Sequence, residues 1–143
     1  MDKRLQFQIK SKIENIYPVE RTILDQAKEY EFDSEACFNL RLAMDEAFLN
    51  AIIHGNRNAE EKDILVEAAF KSNCIAVTVR DEGDGFDRTK LIDPREVANL
   101  FKTHGRGVFL ITQFTHEVRF NDKGNEITFI VQRSRPASIL QSH

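Results

Sequence analysis

Apolar and polar positions alternate at the start of the chain, where Gln6 and Gln8 separate Leu5, Phe7 and Ile9, and this period of two predicts a strand with one buried face. Ser11 and the segment around Pro18 interrupt it, and a helix is read as resuming after Pro18, from Val19 to about Tyr30, on the apolar positions Ile23, Leu24 and Ala27. Asp33-Ser34-Glu35 then supplies an N-cap with acidic first-turn residues for a second, longer helix. On that helix Phe38, Leu42, Leu49 and Ile53 recur at spacings of 4, 7 and 4, predicting an apolar stripe along one face that ends before the C-cap Gly55-Asn56. Glu46, Asn50 and His54 form an adjacent line at a spacing of four.

Further along, Ile64 to Phe70 and Cys74 to Val79 read as two strands of a hairpin joined by Lys71-Ser72-Asn73. From Asp81 to Gly107 the strand period disappears and Gly and charge take over, with room for one short helix around Val97, Leu100 and Phe101. A loop of this length inside a compact domain is more often a lid or a binding segment than inert connection. Val108 to Phe114 read as a helix, and Glu117 to Phe120 and Glu126 to Gln132 as strands around the turn Asp122-Lys123-Gly124-Asn125.

At 143 residues and 41% hydrophobic content the expectation is one core in one domain, over residues 1–134, with 135–143 as a frayed tail. The 11 Phe, against two Tyr and no Trp, predict a core of aromatic and branched side chains with few buried hydroxyls. A net charge of −3 leaves no basic excess for a phosphate backbone, which argues against direct nucleic-acid binding. Cys37 and Cys74 stand apart and read as reduced core thiols. The alternating N-terminus lacks an apolar signal core and no stretch approaches the ~20 apolar residues of a membrane helix, so the cytoplasm is the expected location.

Three short constellations bear chemistry. In Asp45-Glu46-Ala47-Phe48-Leu49-Asn50 a carboxylate and a carboxamide lie one helical turn apart and can face one site. The carboxamide oxygen suits Mg²⁺, and the carboxylate can take a proton from a hydroxyl; a solvated polar pair would look the same. Asp81-Glu82-Gly83-Asp84-Gly85-Phe86 puts a carboxylate after an apolar strand, followed by backbone that a ligand could approach closely. An ionised carboxylate is acceptor-only and would suit the exocyclic amine of adenine, although a strand-ending turn has the same composition. Thr103-His104-Gly105-Arg106-Gly107 opens a helix, where free amides and the positive dipole end favour phosphate and Arg106 can add a charge-assisted bond; a flexible linker is the plainer reading. No Gly-x-x-x-x-Gly-Lys-Ser/Thr loop occurs.

Taken in order, the polar helix face, the Asp-x-Gly-x-Gly, the long loop and the Gly-x-Gly before a helix resemble the N box, G1 box, lid and G2 box of the GHKL ATPase superfamily. More narrowly, Asp45-Glu46-Ala47, Asn50-Ala51-Ile52, His54-Gly55-Asn56, Gly85-Phe86-Asp87 and Gly105-Arg106-Gly107-Val108 resemble the bacterial anti-sigma-factor serine/threonine kinases. The resemblance implies an α/β two-layer sandwich of the Bergerat type, a mixed and mostly antiparallel sheet with helices on one face. It implies ATP and Mg²⁺ as cofactors, Glu46 as catalytic base, Asn50 as Mg²⁺ ligand and Asp81 as adenine reader. Gly83, Gly85, Gly105 and Gly107 would be the close-approach positions and Arg106 a phosphate contact. His54 has a weaker claim, a helix-end histidine being more often capping or packing than catalytic, and Asp45, near the apolar stripe, a weaker one still, as a structural acceptor. The implied function is to bind a sigma factor and to phosphorylate an antagonist protein on Ser or Thr, as a homodimer. The rival is a binding module that sequesters its partner without chemistry. For want of a phosphoacceptor helix pair a complete sensor histidine kinase is not expected, and for want of an appended transducer domain neither is a topoisomerase-type or chaperone-type ATPase.

Overall fold

A computed structural model describes residues 2–83, 111 and 114–133. Five strands, β1 (Lys3–Lys10), β2 (Asp63–Phe70), β3 (Cys74–Arg80), β4 (Glu117–Phe120) and β5 (Glu126–Gln132), form one sheet in the order β1-β2-β3-β5-β4. Two helices, α1 (Ile16–Glu29) and α2 (Ser34–Leu49), lie between β1 and β2 in the chain. The alternation predicted for β1 is observed, with Leu5, Phe7 and Ile9 half-buried, and the other long strands alternate too: Ile64, Val66, Ala68 and Phe70 of β2, Ile75, Val77 and Val79 of β3, and Ile127, Phe129 and Val131 of β5 are all buried beneath the helices.

The sheet was expected to be mixed and mostly antiparallel, and among the described residues every pairing is antiparallel. β3 and β4 do run in the same direction, but the β4–β5 hairpin places β5 between them, so no parallel neighbours arise. The turn of that hairpin is organised by Asn121, whose Oδ1 accepts from the amides of Gly124, Asn125 and Glu126 at 2.8, 3.1 and 3.2 Å, with Gly124 at φ 83°.

The first helix begins earlier than expected. A 3₁₀ turn over Ile13–Asn15 leads directly into α1 at Ile16, and Pro18 sits in the first helical turn, where a missing N–H costs no intrahelical bond. α1 closes with Glu31 at φ 62° and the Phe32 amide returning to the Ala27 carbonyl at 3.0 Å. Asp33 then caps α2 as its sequence predicts, accepting from the Ala36 amide at 2.8 Å.

The predicted stripe on α2 is corrected. Phe38 is 59% and Ile53 44% exposed, while the buried face is made of Ala36, Leu40, Ala43, Met44, Ala47 and Phe48. Both sets have helical spacing; the alanines let α2 approach the sheet closely, which the larger side chains would prevent. Cys37 and Cys74 are free and half-buried at the margin of the core. No helix among the described residues is long and apolar enough to cross a membrane. Of the predicted helix Val108 to Phe114, Ile111 is helical and fully buried, Phe114 is helical, and the rest lies outside the described residues together with the expected lid and tail.

Candidate functional site

The second helix does not end where its α-helical hydrogen bonding ends. From Asn50 to Gly55 the chain continues as a π-helical turn, closed by the Asn56 amide bonding to the Ala51 carbonyl at 2.7 Å. Such wide turns distort a helix locally and are frequent at functional sites. Glu46 stands in the last α-helical turn and Asn50 opens the π turn, about 6 Å further along the axis at the helical rise. Both are half-buried, and His54 is exposed.

Asn50 Nδ2 is buried without a hydrogen-bond partner among the described residues. The two ends of a carboxamide are told apart only by their hydrogen bonds, so this position offers a ligand either an N–H donor or, with the group turned over, a carbonyl oxygen. An oxygen there is the donor type that Mg²⁺ takes when most of its other ligands are waters and phosphate. The residue type and its unfilled valence therefore fit a Mg-nucleotide.

The far end of the π turn meets the loop after β3. A Cβ placed on Gly55 would lie 2.1 Å from Asp81 Oδ2, and one on Gly83 would lie 2.2 Å from the Gly55 carbonyl oxygen and 2.8 Å from Asp81 Oδ1. Only glycine permits this approach of helix end to turn. The Gly83 amide donates to Asp81 Oδ1 at 2.7 Å, which holds the carboxylate against the turn. Burial raises the Asp81 pKa from its ordinary value, with the Gly83 hydrogen bond and then Lys123 and Lys62 pulling the other way.

The helix carrying Glu46 and Asn50 and the turn carrying Asp81 and Gly83, separate in sequence, are thus in contact through Gly55. Gly85, Gly105, Arg106 and Gly107 lie outside the described residues. Sequence alone assigns no site role to Asn56, read as a cap and as part of the His54-Gly55-Asn56 likeness, or to Asn125, read as turn, yet their carboxamides reach across the fold to the Asp81 turn.

On the flank of α2 toward α1, Glu20 is buried beside Asp45, with its Oε2 lacking a partner among the described residues. Its pKa is pushed up to about 9, first by burial, then by the hydrogen bond and charge of Asp45, with Arg41 opposing. Asp45 thus stands against Glu20 between the two helices. A shallow depression of about 570 Å³ lies across the sheet from the helices, between Gln6, Leu65, Thr78 and Arg80, and contains none of the candidate residues.

Residues 9–131 match the family described as histidine kinase-like ATPase domain. The serine-protein kinase RsbW of Listeria innocua is 29% identical over 131 residues, covering 87% of this chain and 83% of the relative. The anti-sigma F factor of Clostridium perfringens is 25% identical over 139 residues, covering 94% of this chain and 98% of the relative. Among solved structures, the RsbU and RsbW domains of a Mycobacterium tuberculosis protein superpose with a TM-score of 0.63 at 18% identity, over 94% of this chain. This chain spans 33% of that longer one, and the likeness is one of fold.

Proposed function

Because the chain belongs to the histidine kinase-like ATPase domain family, we propose that it is an ATP-dependent serine/threonine kinase of the anti-sigma type, which binds a sigma factor and phosphorylates an antagonist protein. The observation that carries the reading is the contact of Gly55 with Asp81 and Gly83, which joins a polar helix face to an acidic, glycine-bearing turn in one place. In this reading Asp81 accepts from the exocyclic amine of adenine, and Asn50 holds Mg²⁺. Glycines 83, 85, 105 and 107 allow backbone to approach the nucleotide, and Arg106 pairs with phosphate. Mg-ATP supplies the transferable phosphoryl group. Glu46 accepts the proton of the Ser or Thr hydroxyl as the hydroxyl oxygen bonds to the γ-phosphorus and the bond from that phosphorus to the β,γ-bridging oxygen breaks, with ADP as the leaving group; orientation and electrostatics do the rest of the work. The relatives' names motivate the partners, and homodimerisation and a cytoplasmic setting complete the proposal.

The test is incubation of the protein with Mg²⁺, γ-labelled ATP and candidate antagonists from the same genome. Label on a Ser or Thr of one antagonist is expected, and it should vanish when the divalent cation is chelated. ATP binding with no transfer to any candidate would instead favour a module that sequesters its partner without chemistry.

A further inference from the structure

The turn that carries Asp81 begins where the sheet stops holding the chain. The ladder of β2 with β3 ends at Leu65 and Arg80, and that of β3 with β5 at Arg80 and Glu126, so Asp81 and Glu82 have no place in either. Two asparagines take over. Asn56, fully buried after the π turn, donates through Nδ2 to the Asp63 carbonyl at 3.1 Å and accepts through Oδ1 from the Glu82 amide at 2.8 Å. The Asp63 amide donates to the Glu82 carboxylate, closing a ring of hydrogen bonds between the end of α2, the start of β2 and the turn.

From the opposite side, Asn125 Nδ2 donates to the Asp81 carbonyl at 3.0 Å, while the Asp81 amide donates to the Asn125 carbonyl at 2.9 Å. Asn125 is held in turn by Asn121, whose Nδ2 donates to its Oδ1 at 2.8 Å. The amide and carbonyl of Asp81 and the amide of Glu82 are all engaged. What remains to Asp81 is rotation of its side chain, and the Gly83 amide limits that.

We propose that Asn56 and Asn125 are positioning residues for the nucleotide base: by gripping the Asp81–Glu82 backbone from both sides they aim the Asp81 carboxylate and set its preference for an amine over a carbonyl. The inference rests on the reading of Asp81 as the base acceptor. A carboxylate can only accept, so it favours a base edge presenting an amino group, as adenine does, and repels one presenting a carbonyl at that place, as hypoxanthine does. That discrimination depends on a fixed carboxylate, because one that can retreat by an ångström admits water and loses both the attraction and the repulsion.

The test compares ATP with inosine triphosphate by titration calorimetry, each with Mg²⁺, on wild type, Asn125→Ala and Asn56→Ser. Asn125→Ala leaves the Asp81 amide its backbone partner, and Asn56→Ser keeps a small polar group in the buried site. Each variant is expected to lower the preference for ATP over inosine triphosphate by about three- to tenfold, the scale of one lost hydrogen bond. A role confined to folding would lower the melting temperature and leave the ratio in the folded protein unchanged. Folded variants that keep the wild-type ratio overturn the proposal. Hydrogen exchange on wild type needs no variant to fold: the Asp81 and Glu82 amides should be protected before nucleotide is added, and free exchange at both overturns the clamp. Failure of wild type to bind ATP would overturn the nucleotide reading itself, and the proposal with it. ATP binding without preference over inosine triphosphate would remove Asp81 from the base role while leaving the ATP site standing.

Discussion

Asp81 accepts a hydrogen bond best when its carboxyl is ionised, and its raised pKa means that this condition is lost at a higher pH than for an exposed carboxylate. Replacing it by Asn keeps the shape of the turn and removes the charge. Asp81→Asn is expected to weaken ATP binding more than tenfold with a melting temperature within a few degrees of wild type; calorimetry checks the first and thermal denaturation the second. As a candidate, Asp81 was legible in sequence through the family resemblance, although an acidic residue that ends an apolar strand before Gly-x-Gly reads equally as a plain turn. Asn56 and Asn125 were not, since their partners lie 26 and 44 residues away and no local pattern encodes such a reach. Glu20 was equally hidden within an amphipathic helix. Its raised pKa makes the folded state retain a proton that the unfolded chain, near the ordinary value of 4.5, has released. Stability should therefore fall as pH rises from about 5 toward 9. Glu20→Gln can still donate to Asp45 without needing a proton, so its stability curve should be flatter and cross above that of wild type on the alkaline side. Denaturant titrations at pH 5, 7 and about 8.5 measure this, given that one unit of pKa difference is worth about 1.4 kcal/mol. Parallel curves would remove Glu20 as the source.

At the scale of elements, α2 separates what periodicity reveals from what it hides. Its start was legible from Asp33, because capping is local chemistry, but its buried face was assigned to the large apolar residues when the alanines and Leu40 hold the sheet. Two interleaved helical series cannot be ranked by spacing alone; close helix–sheet packing selects the one with small side chains. The expected consequence is asymmetric. Leu40→Ala, at a fully buried position, should cost about 2–5 kcal/mol, whereas Phe38→Ala, mostly in solvent, should cost under about 1 kcal/mol. Chemical denaturation of the two variants decides it, and equal losses would mean that Phe38 is covered by something outside the described residues. The π turn at Asn50 was also beyond sequence, which shows a good helix through Ile53 and a plain cap at Gly55. It is the contact between Gly55 and Asp81 that requires this end of the helix to lie against the turn.

For the whole molecule, the two-layer plan follows from five strand-forming segments and two amphipathic ones; β1 lies where its period of two predicted it, and the other four lie where apolar composition and turn signals placed them. Strand order is a different matter: that β5 lies between β3 and β4 follows from how the last hairpin docks, which alternation cannot express. The result brings two stretches of chain, Glu46 to Gly55 and Asp81 to Gly83, to one edge of the helical layer, and phosphoryl transfer to a protein hydroxyl is the chemistry proposed there. Its most direct test is the rate of label transfer from Mg-ATP to the antagonist by wild type and Glu46→Gln, with ATP affinity measured on the same preparations. The near-isosteric change removes only the proposed base, so transfer should fall by about 10²–10⁴ with ATP affinity held within about threefold. Equal transfer by the two proteins would contradict Glu46 as the base, and absence of transfer by wild type to any antagonist would contradict the kinase itself.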